Sequence, residues 1–466
     1  MAELKGLFKE KRYTEVIAAV DAMAEPTVDD ITLRAESRYM LDDYRQSLAD
    51  FLIVFQANST KTKFGIFQKA RTAVGRAGME RKAIAEFWNS ASDEPSRRMG
   101  RIATRLLAGE REGLTADFRA EVQALFESDA LADAWVEAFD LLVAGLAGES
   151  QSDFHLAKTR NKIIVSGMGW SGSGAIYDYL KEFPQIHAIA GESSLIEGGG
   201  GFTAFVKASK SRNTCTSQVV QFFFRNLLGY YPMGNASCFK ELRTTRLNAH
   251  SADIGLSYAQ GARDVVRAML QLVAVAGASI ENIEQALMVL CDTIVERLIA
   301  AAAPDDKVLL LDNCIHIQNV RLARYLSKTL LTCCFRDPRT NFVALTREYA
   351  GFKESAEEYA KTTAARRIKF ENALDGEFID CIARNETRVE KVRFEEFVVS
   401  EIYRSNLARS MGLLPDKRDA YRYFKPWESF KNTQLHLNYE QPQDIDFIKN
   451  QCSEYCVEFT TLSVVE

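Results

Sequence analysis

The stretch "IIVSGMGWSGSGAIYDYL", residues 163–180, changes character twice. A β-branched apolar run gives way to a segment dense in Gly and Ser, and a helical pattern follows. The short run carries no polar alternation, which suits a strand buried on both faces, as in a parallel sheet. A strand that passes through such a loop into a helix forms an anion site. Glycines let the backbone approach closely, and the first helical N–H groups and the helix dipole supply positive potential. The loop residues Trp170, Ser171, Gly172, Ser173 and Gly174 are therefore candidate ligand contacts. A loop for ATP or GTP reads GxxxxGK[ST]. Counted from Gly167 the spacing fits, but Ser173 and Gly174 stand where Lys and Ser or Thr belong. A Gly-rich turn without a ligand is the plainer alternative.

Further runs of the same kind follow at "IHAIA" (186–190), "VLLLDN" (308–313) and "LLTCCF" (330–335), with "KVRF" (391–394) as a weaker case. Helical patterns separate them, among them "YAQGARDVVRAMLQLVAVAG" and "SIENIEQALMVLCDTIVERLIAAAA". Strands alternating with helices predict an α/β fold, a three-layer parallel sheet over 155–466 with a helical insertion at about 255–303. Residues 1–150 read as helices only. "KRYTEVIAAV" (11–20), "DDYRQSLADF" (42–51) and "MERKAIAEFW" (79–88) resemble one another at offsets of 31 and 36 residues. Those offsets bracket the period of about 34 of tetratricopeptide repeats. The region is read as tetratricopeptide-like, with a generic helix array as the alternative. The polar "GESQSDFHLAKTRN" reads as the linker.

With 466 residues, more than one domain is expected. A net charge of −5, 47% hydrophobic and 26% charged residues fit a soluble globular chain. They argue against a broad nucleic-acid surface. The charged start "MAELKGLFKEKRY" is unlike a signal peptide, and no run reaches the roughly 18 apolar residues of a membrane span. A cytoplasmic protein without a transmembrane segment is the expectation. The nine cysteines are odd in number and lack paired CxxC spacing, which favours reduced thiols over disulfides or zinc.

The second half of the chain resembles the sulfotransferases that use 3′-phosphoadenosine 5′-phosphosulfate (PAPS), and most of all their bacterial, carbohydrate-modifying branch. In that family a loop of the type Lys/Arg-Ser-Gly-Thr-Ser/Thr after the first strand wraps the 5′-phosphosulfate, and Ser171-Gly172-Ser173-Gly174 stand in those places. An apolar strand ending in Arg-Asp/Asn-Pro binds the 3′-phosphate, and "LLTCCFRDPRTNFVAL" supplies Arg336, Asp337 and Pro338. "KVRFEEFVVSEIYRSNLARSMGL" resembles the Tyr-Glu-Asp-Leu strand and its following helix, with Phe394-Glu395-Glu396-Phe397 in place. Two departures stand out: Trp170 replaces the loop cation, and Ala344 replaces a serine that helps hold the 3′-phosphate. The Gly-rich nucleotide clamp of the small-molecule enzymes is also missing. "YFKPWESFKNTQ" takes its place.

The resemblance implies sulfuryl transfer from PAPS to a glycan hydroxyl, with no metal and a general base. In the glycan branch a glutamate just after the second strand is that base, which points to Glu192. His187 is second, since the small-molecule branch uses histidine, although its place within a strand favours a packing role. His316 reads as structural. Arg336 is the expected phosphate contact, and Arg339, Lys425 and Lys431 are candidates for the missing cation. "GGGG" at 198–201 reads as a hinge. A protein partner on the N-terminal helices is a further expectation. A kinase-like nucleotide enzyme and a degenerate, non-catalytic binder are the alternatives.

Overall fold

The computed structural model describes residues 2–58, 69–70, 73–74, 76–79, 83, 94–126, 128–148, 154–197, 200–228, 249–349 and 352–457; for a few of these, Glu192 among them, only the backbone is described. The chain divides into two compact units. One comprises Met1–Ser152 with Lys207–Gly277, the other Asp153–Val206 with Ala278–Glu466. The segment 207–277, expected within the α/β domain, thus belongs with the N-terminal helices.

The first unit is helical. The first two copies of the repeated pattern open the helices Tyr13–Asp21 and Tyr44–Asn58 at equivalent tyrosines. Val16 and Ser47 are equivalent, as are Val20 and Phe51, and all four are buried. Helix Val28–Met40 lies between them in sequence and packs on both. Its Arg34 and Arg38 converge on the buried Asp50 at 2.7 and 2.8 Å. The third copy lies almost wholly outside the described residues. Phe223 and Phe224 explain why 207–277 joins this unit. They pack on Phe118 and Phe139, whose own rings stack at 4.1 Å.

The second unit is α/β, built on a five-stranded parallel sheet of order β2-β3-β1-β4-β5. The strands are β1 (Lys162–Gly167), β2 (Ile186–Glu192), β3 (Val308–Asp312), β4 (Thr329–Phe335) and β5 (Arg388–Arg393). Both central strands, β1 and β4, are buried at every residue, which is why they read as unbroken apolar runs. By contrast β5 is an edge strand, "RVEKVR", whose exposed Arg and Lys discourage a further strand from pairing. It ends one residue before Phe394. Phe394–Phe397, expected in a strand, open the short helix Phe394–Val399 instead. Glu395 and Glu396 in its first turn favour the positive helix end.

From β1 the chain crosses toward β2 and β3, and from β4 it crosses the other way to β5. The β1/β4 boundary is therefore a topological switch point. Parallel α/β sheets hold their ligands in the crevice outside the strand C-termini at such a point. On one sheet face, Tyr179 packs edge-on against Phe183, Phe397 and Phe424 within the main core cluster. No described helix is long and apolar enough to cross a membrane. Every described cysteine is a free thiol.

Candidate active site

The loop after β1 is built to be rigid. The Ser171 N–H closes a turn onto the Met168 carbonyl at 2.8 Å. Arg336 Nη1 donates to the Trp170 carbonyl at 2.8 Å, and Asn341 Nδ2 donates to the Gly169 carbonyl at 3.0 Å. Cys334 Sγ in β4 donates to the Ser171 carbonyl at 3.3 Å. Gly172 has a φ of +89°, and a Cβ there would collide with the Phe394 ring. Only glycine satisfies both demands. The Ser171 and Ser173 hydroxyls converge over Gly167, where a Cβ would meet both. Helix Ser173–Leu180 then starts, and its first N–H groups have no intrahelical partner.

After β4 the sequence "RDP" does three jobs. Asp337 caps helix Pro338–Glu348 by accepting from the Arg339 N–H at 2.9 Å, and Pro338 stands at the first helical turn, where its missing N–H costs nothing. Arg336 reaches across the switch point. The residue is 7% exposed, and its guanidinium lies over the Phe394 ring at 5.0 Å and donates to the Asn432 carbonyl as well as to Trp170. Burial pulls its pKa down from the usual arginine value.

Loop, arginine and C-terminal segment enclose a cavity of about 470 Å³. Trp170 to Gly174, Arg336, Lys425, Ser429 and Asn432 line it, together with Phe394, Tyr423 and Phe424. Five loop residues and two cations named from the sequence thus meet in one place. Two of its polar atoms are buried without a hydrogen-bond partner, Ser171 Oγ and Arg336 Nε. Buried polar groups are nearly always paired, so such atoms mark a place where a ligand or water belongs. Asp178 and Glu428 also line the cavity, and Lys425 Nζ is held by Glu428 Oε1 at 3.2 Å. Trp170 adopts a φ of +58° and stacks on Tyr349 with centroids 5.2 Å apart.

Searches of family models, curated proteins and solved structures find no match. The site therefore has to be read from its own geometry.

Other residues named from the sequence lie elsewhere. Arg339 is buried and chelates Asp337, Nη2 to Oδ2 at 2.6 Å and Nε to Oδ1 at 3.0 Å, and Nη2 also donates to the Val457 carbonyl. It is not among the cavity residues, and neither is Lys431, which is exposed just beyond helix Pro426–Phe430. Ala344 is buried in helix Pro338–Glu348, away from the cavity lining. His187 is the second residue of β2, level with Leu309 at the start of β3. That is the opposite edge of the sheet, about five residues or roughly 16 Å of extended chain from the strand end. Burial, then Arg160 and Lys307, pull its pKa down. The Glu192 backbone, at the end of β2, stands on the loop's edge of the sheet, paired with Asp312; its side chain lies outside the described atoms. Gly198 and Gly199 of the proposed hinge also lie outside the described residues.

The structure gives His316, which reads as structural in the sequence, a partner in Glu197. After β3 the chain crosses the end of β1. Asn313 Oδ1 accepts the Gly167 N–H at 3.0 Å, and Ser166 Oγ donates to the Ile315 carbonyl. His316 comes next, half-exposed. Its Nδ1 meets Glu197 Oε2 at 2.6 Å, and its N–H donates to Glu197 Oε1 at 2.8 Å. Asn319 Nδ2 donates to the same carboxylate at 2.9 Å. A buried carboxylate on Nδ1 fixes the ring's orientation. Glu197 and His316 are 119 residues apart, so only the fold joins them. Among the described residues no group of three His, Cys, Asp or Glu side chains could hold a metal ion.

Proposed function

We propose that the chain is a sulfotransferase moving a sulfuryl group from PAPS to a hydroxyl of a glycan, such as a surface-polysaccharide precursor. One observation carries the reading: at the β1/β4 switch point a Gly/Ser loop, a helix N-terminus and the buried Arg336 share one cavity that leaves Ser171 Oγ and Arg336 Nε unpaired. That donor set suits an anion with several oxygens, and loss of the loop lysine does not remove it. In the reaction the acceptor hydroxyl attacks sulfur while its proton passes to a general base; His316, held by Glu197 beyond the cavity lining but after β3 at the same strand-end edge, is the first candidate. The bond from sulfur to the bridging oxygen breaks in line. That oxygen keeps the electron pair and leaves on 3′,5′-adenosine bisphosphate. Lys425 is the cation nearest to replacing the absent lysine. Glu192, the base that the resemblance implies, is the other candidate.

A nucleotide binder with little turnover is the second reading, favoured by the Lys425–Glu428 pair, which already neutralises that cation. The deciding experiment compares thermal shifts with 3′,5′-adenosine bisphosphate, with ATP and Mg²⁺, and with GTP and Mg²⁺. Selective stabilisation by the bisphosphate, about 2.7 kcal/mol at a hundredfold excess over Kd, is the expected result. Preference for ATP with Mg²⁺ points to a kinase-like enzyme, and no response to any of the three ends the nucleotide reading. His316→Gln then separates enzyme from binder. It should leave the bisphosphate shift unchanged and cut sulfuryl transfer by about 10²–10⁴.

A further inference from the structure

The second unit has another cavity, larger than the first at about 770 Å³, and of a different chemistry. One wall is helix Ala356–Ala373, which presents Ala365, Ile368, Lys369 and Asn372 at spacings of three and four, a single helical face. The helix does not need this face for its own packing, because its Tyr359, Ala360 and Phe370 are the buried side. Ile368 is accordingly 52% exposed. The other wall is the 3₁₀ segment Ile317–Tyr325, with Leu322, Tyr325 and Arg324. No carboxylate lines the cavity, whereas Arg321, Arg324 and Lys369 do; Arg321 is paired outward with Asp375 and Arg324 Nη1 with Glu284 Oε1 at 3.3 Å, so Lys369 carries the unneutralised charge. Arg324 Nε is buried without a hydrogen-bond partner, and Lys369 stands in the cavity wall. The segment begins immediately after His316. Asn319, which donates to Glu197 beside the imidazole, stands in the cavity wall.

We infer that this groove is a binding site for an amphipathic anion: a single molecule with an apolar chain or ring and one carboxylate or phosphate, bound with its hydroxyl-bearing end toward His316. The volume lies within the usual range for small-molecule sites, and apolar walls with a few convergent polar groups are their usual make-up. Charge complementarity selects the anion, since Lys369 on one wall and the unpaired Arg324 Nε on the other face a groove that no acid lines. As an acceptor site the groove rests on the sulfotransfer reading. It narrows the acceptor from any glycan to one that carries an apolar, negatively charged part. As a binding site it stands without that reading.

The test is isothermal titration of the full chain with hexyl, octyl and decyl phosphate below their micelle concentrations, and with octyl glucoside as the neutral control. Binding should tighten about fourfold per added methylene, and octyl glucoside should bind at least tenfold more weakly than octyl phosphate. Ile368→Asp places a repelling charge in the groove from an exposed position and should weaken decyl phosphate at least tenfold. Lys369→Ala should weaken it several-fold. Both variants should keep the parent's melting temperature and its shift with 3′,5′-adenosine bisphosphate. Absence of decyl phosphate binding, equal affinity for octyl glucoside, or an Ile368→Asp variant that binds like the parent overturns the proposal. Decyl phosphate binding without a bisphosphate shift would leave the groove in place and remove the nucleotide reading. A bisphosphate shift without decyl phosphate binding would do the reverse.

Discussion

The two edges of the parallel sheet each bury charge, and they bury it differently. At the N-terminal edge Lys162, the first residue of β1, is fully buried, with its ammonium 3.2 Å from Asp292 and 3.5 Å from Glu296. Arg160 grips Glu296 through both its backbone N–H and Nε, and Ser327 donates to Asp292. Each charge there faces an opposite one. At the C-terminal edge Arg336, Glu395 and Ser171 are just as buried, yet Arg336 Nε, Glu395 Oε2 and Ser171 Oγ have no hydrogen-bond partner. One edge is closed on itself and serves stability. The other leaves buried polar atoms unpaired, and the proposed ligand site rests on that.

Breaking the closed edge should have the largest effect. Lys162→Met strands Asp292 without its cation, and a buried pair broken on one side costs about 3–5 kcal/mol. The midpoint of urea unfolding should fall with its slope unchanged, and adding Asp292→Leu should recover most of the loss. A double variant no more stable than the single one would show that the pair does not act as a closed unit.

At the open edge the next effect is a pH dependence. Burial raises the Glu395 carboxyl to about 7 from an ordinary 4.5, although the Asp337 N–H donates to its Oε1. Below 4.5 both folded and unfolded chains hold the proton. Between 4.5 and 7 only the folded chain holds it, so stability contributed by this group is full at low pH and is lost as pH rises through about 7. The loss amounts to about 3 kcal/mol. Glu395→Gln should remove that part of the pH slope, measured as the difference between urea stabilities at pH 5 and pH 8. An unchanged slope would mean that Glu395 is ionised throughout and that the open edge is paired after all.

The smallest effect concerns the cation that the loop lacks. Glu428→Gln frees Lys425 from a half-exposed pair, so 3′,5′-adenosine bisphosphate should bind about two- to fivefold more tightly at low salt, the gain shrinking as ionic strength rises. A loss of affinity would place Glu428 on the ligand instead of on Lys425.

What could be read in the sequence follows from the same contrast. The strands buried on both faces, β1, β3 and β4, were legible as unbroken apolar runs, and the loop after β1 was legible by its glycines and serines. Edge strand β5 was less so, because its alternating charges resemble a surface helix, and the turn into helix Phe394–Val399 was missed. Helices 207–277 look like any others; which core they join depends on Phe223 and Phe224 meeting Phe118 and Phe139. Residue type alone also did not separate Arg336 from Arg339. Both follow an apolar strand, but Arg339 is two residues from the Asp337 carboxylate that takes it up, whereas Arg336 crosses to the loop after β1. The His316–Glu197 pair had no local signature at all.

The stack of Trp170 on Tyr349 has an optical consequence. An indole in the loop after β1, 42% exposed and in contact with a phenol ring, is a built-in fluorophore at the position where an occupied loop would change its surroundings. Trp135 is buried in the other unit, and Trp427 lies against Tyr421. Emission lost on Trp170→Phe is therefore the emission of the loop itself, and filling of the cavity becomes visible without a label.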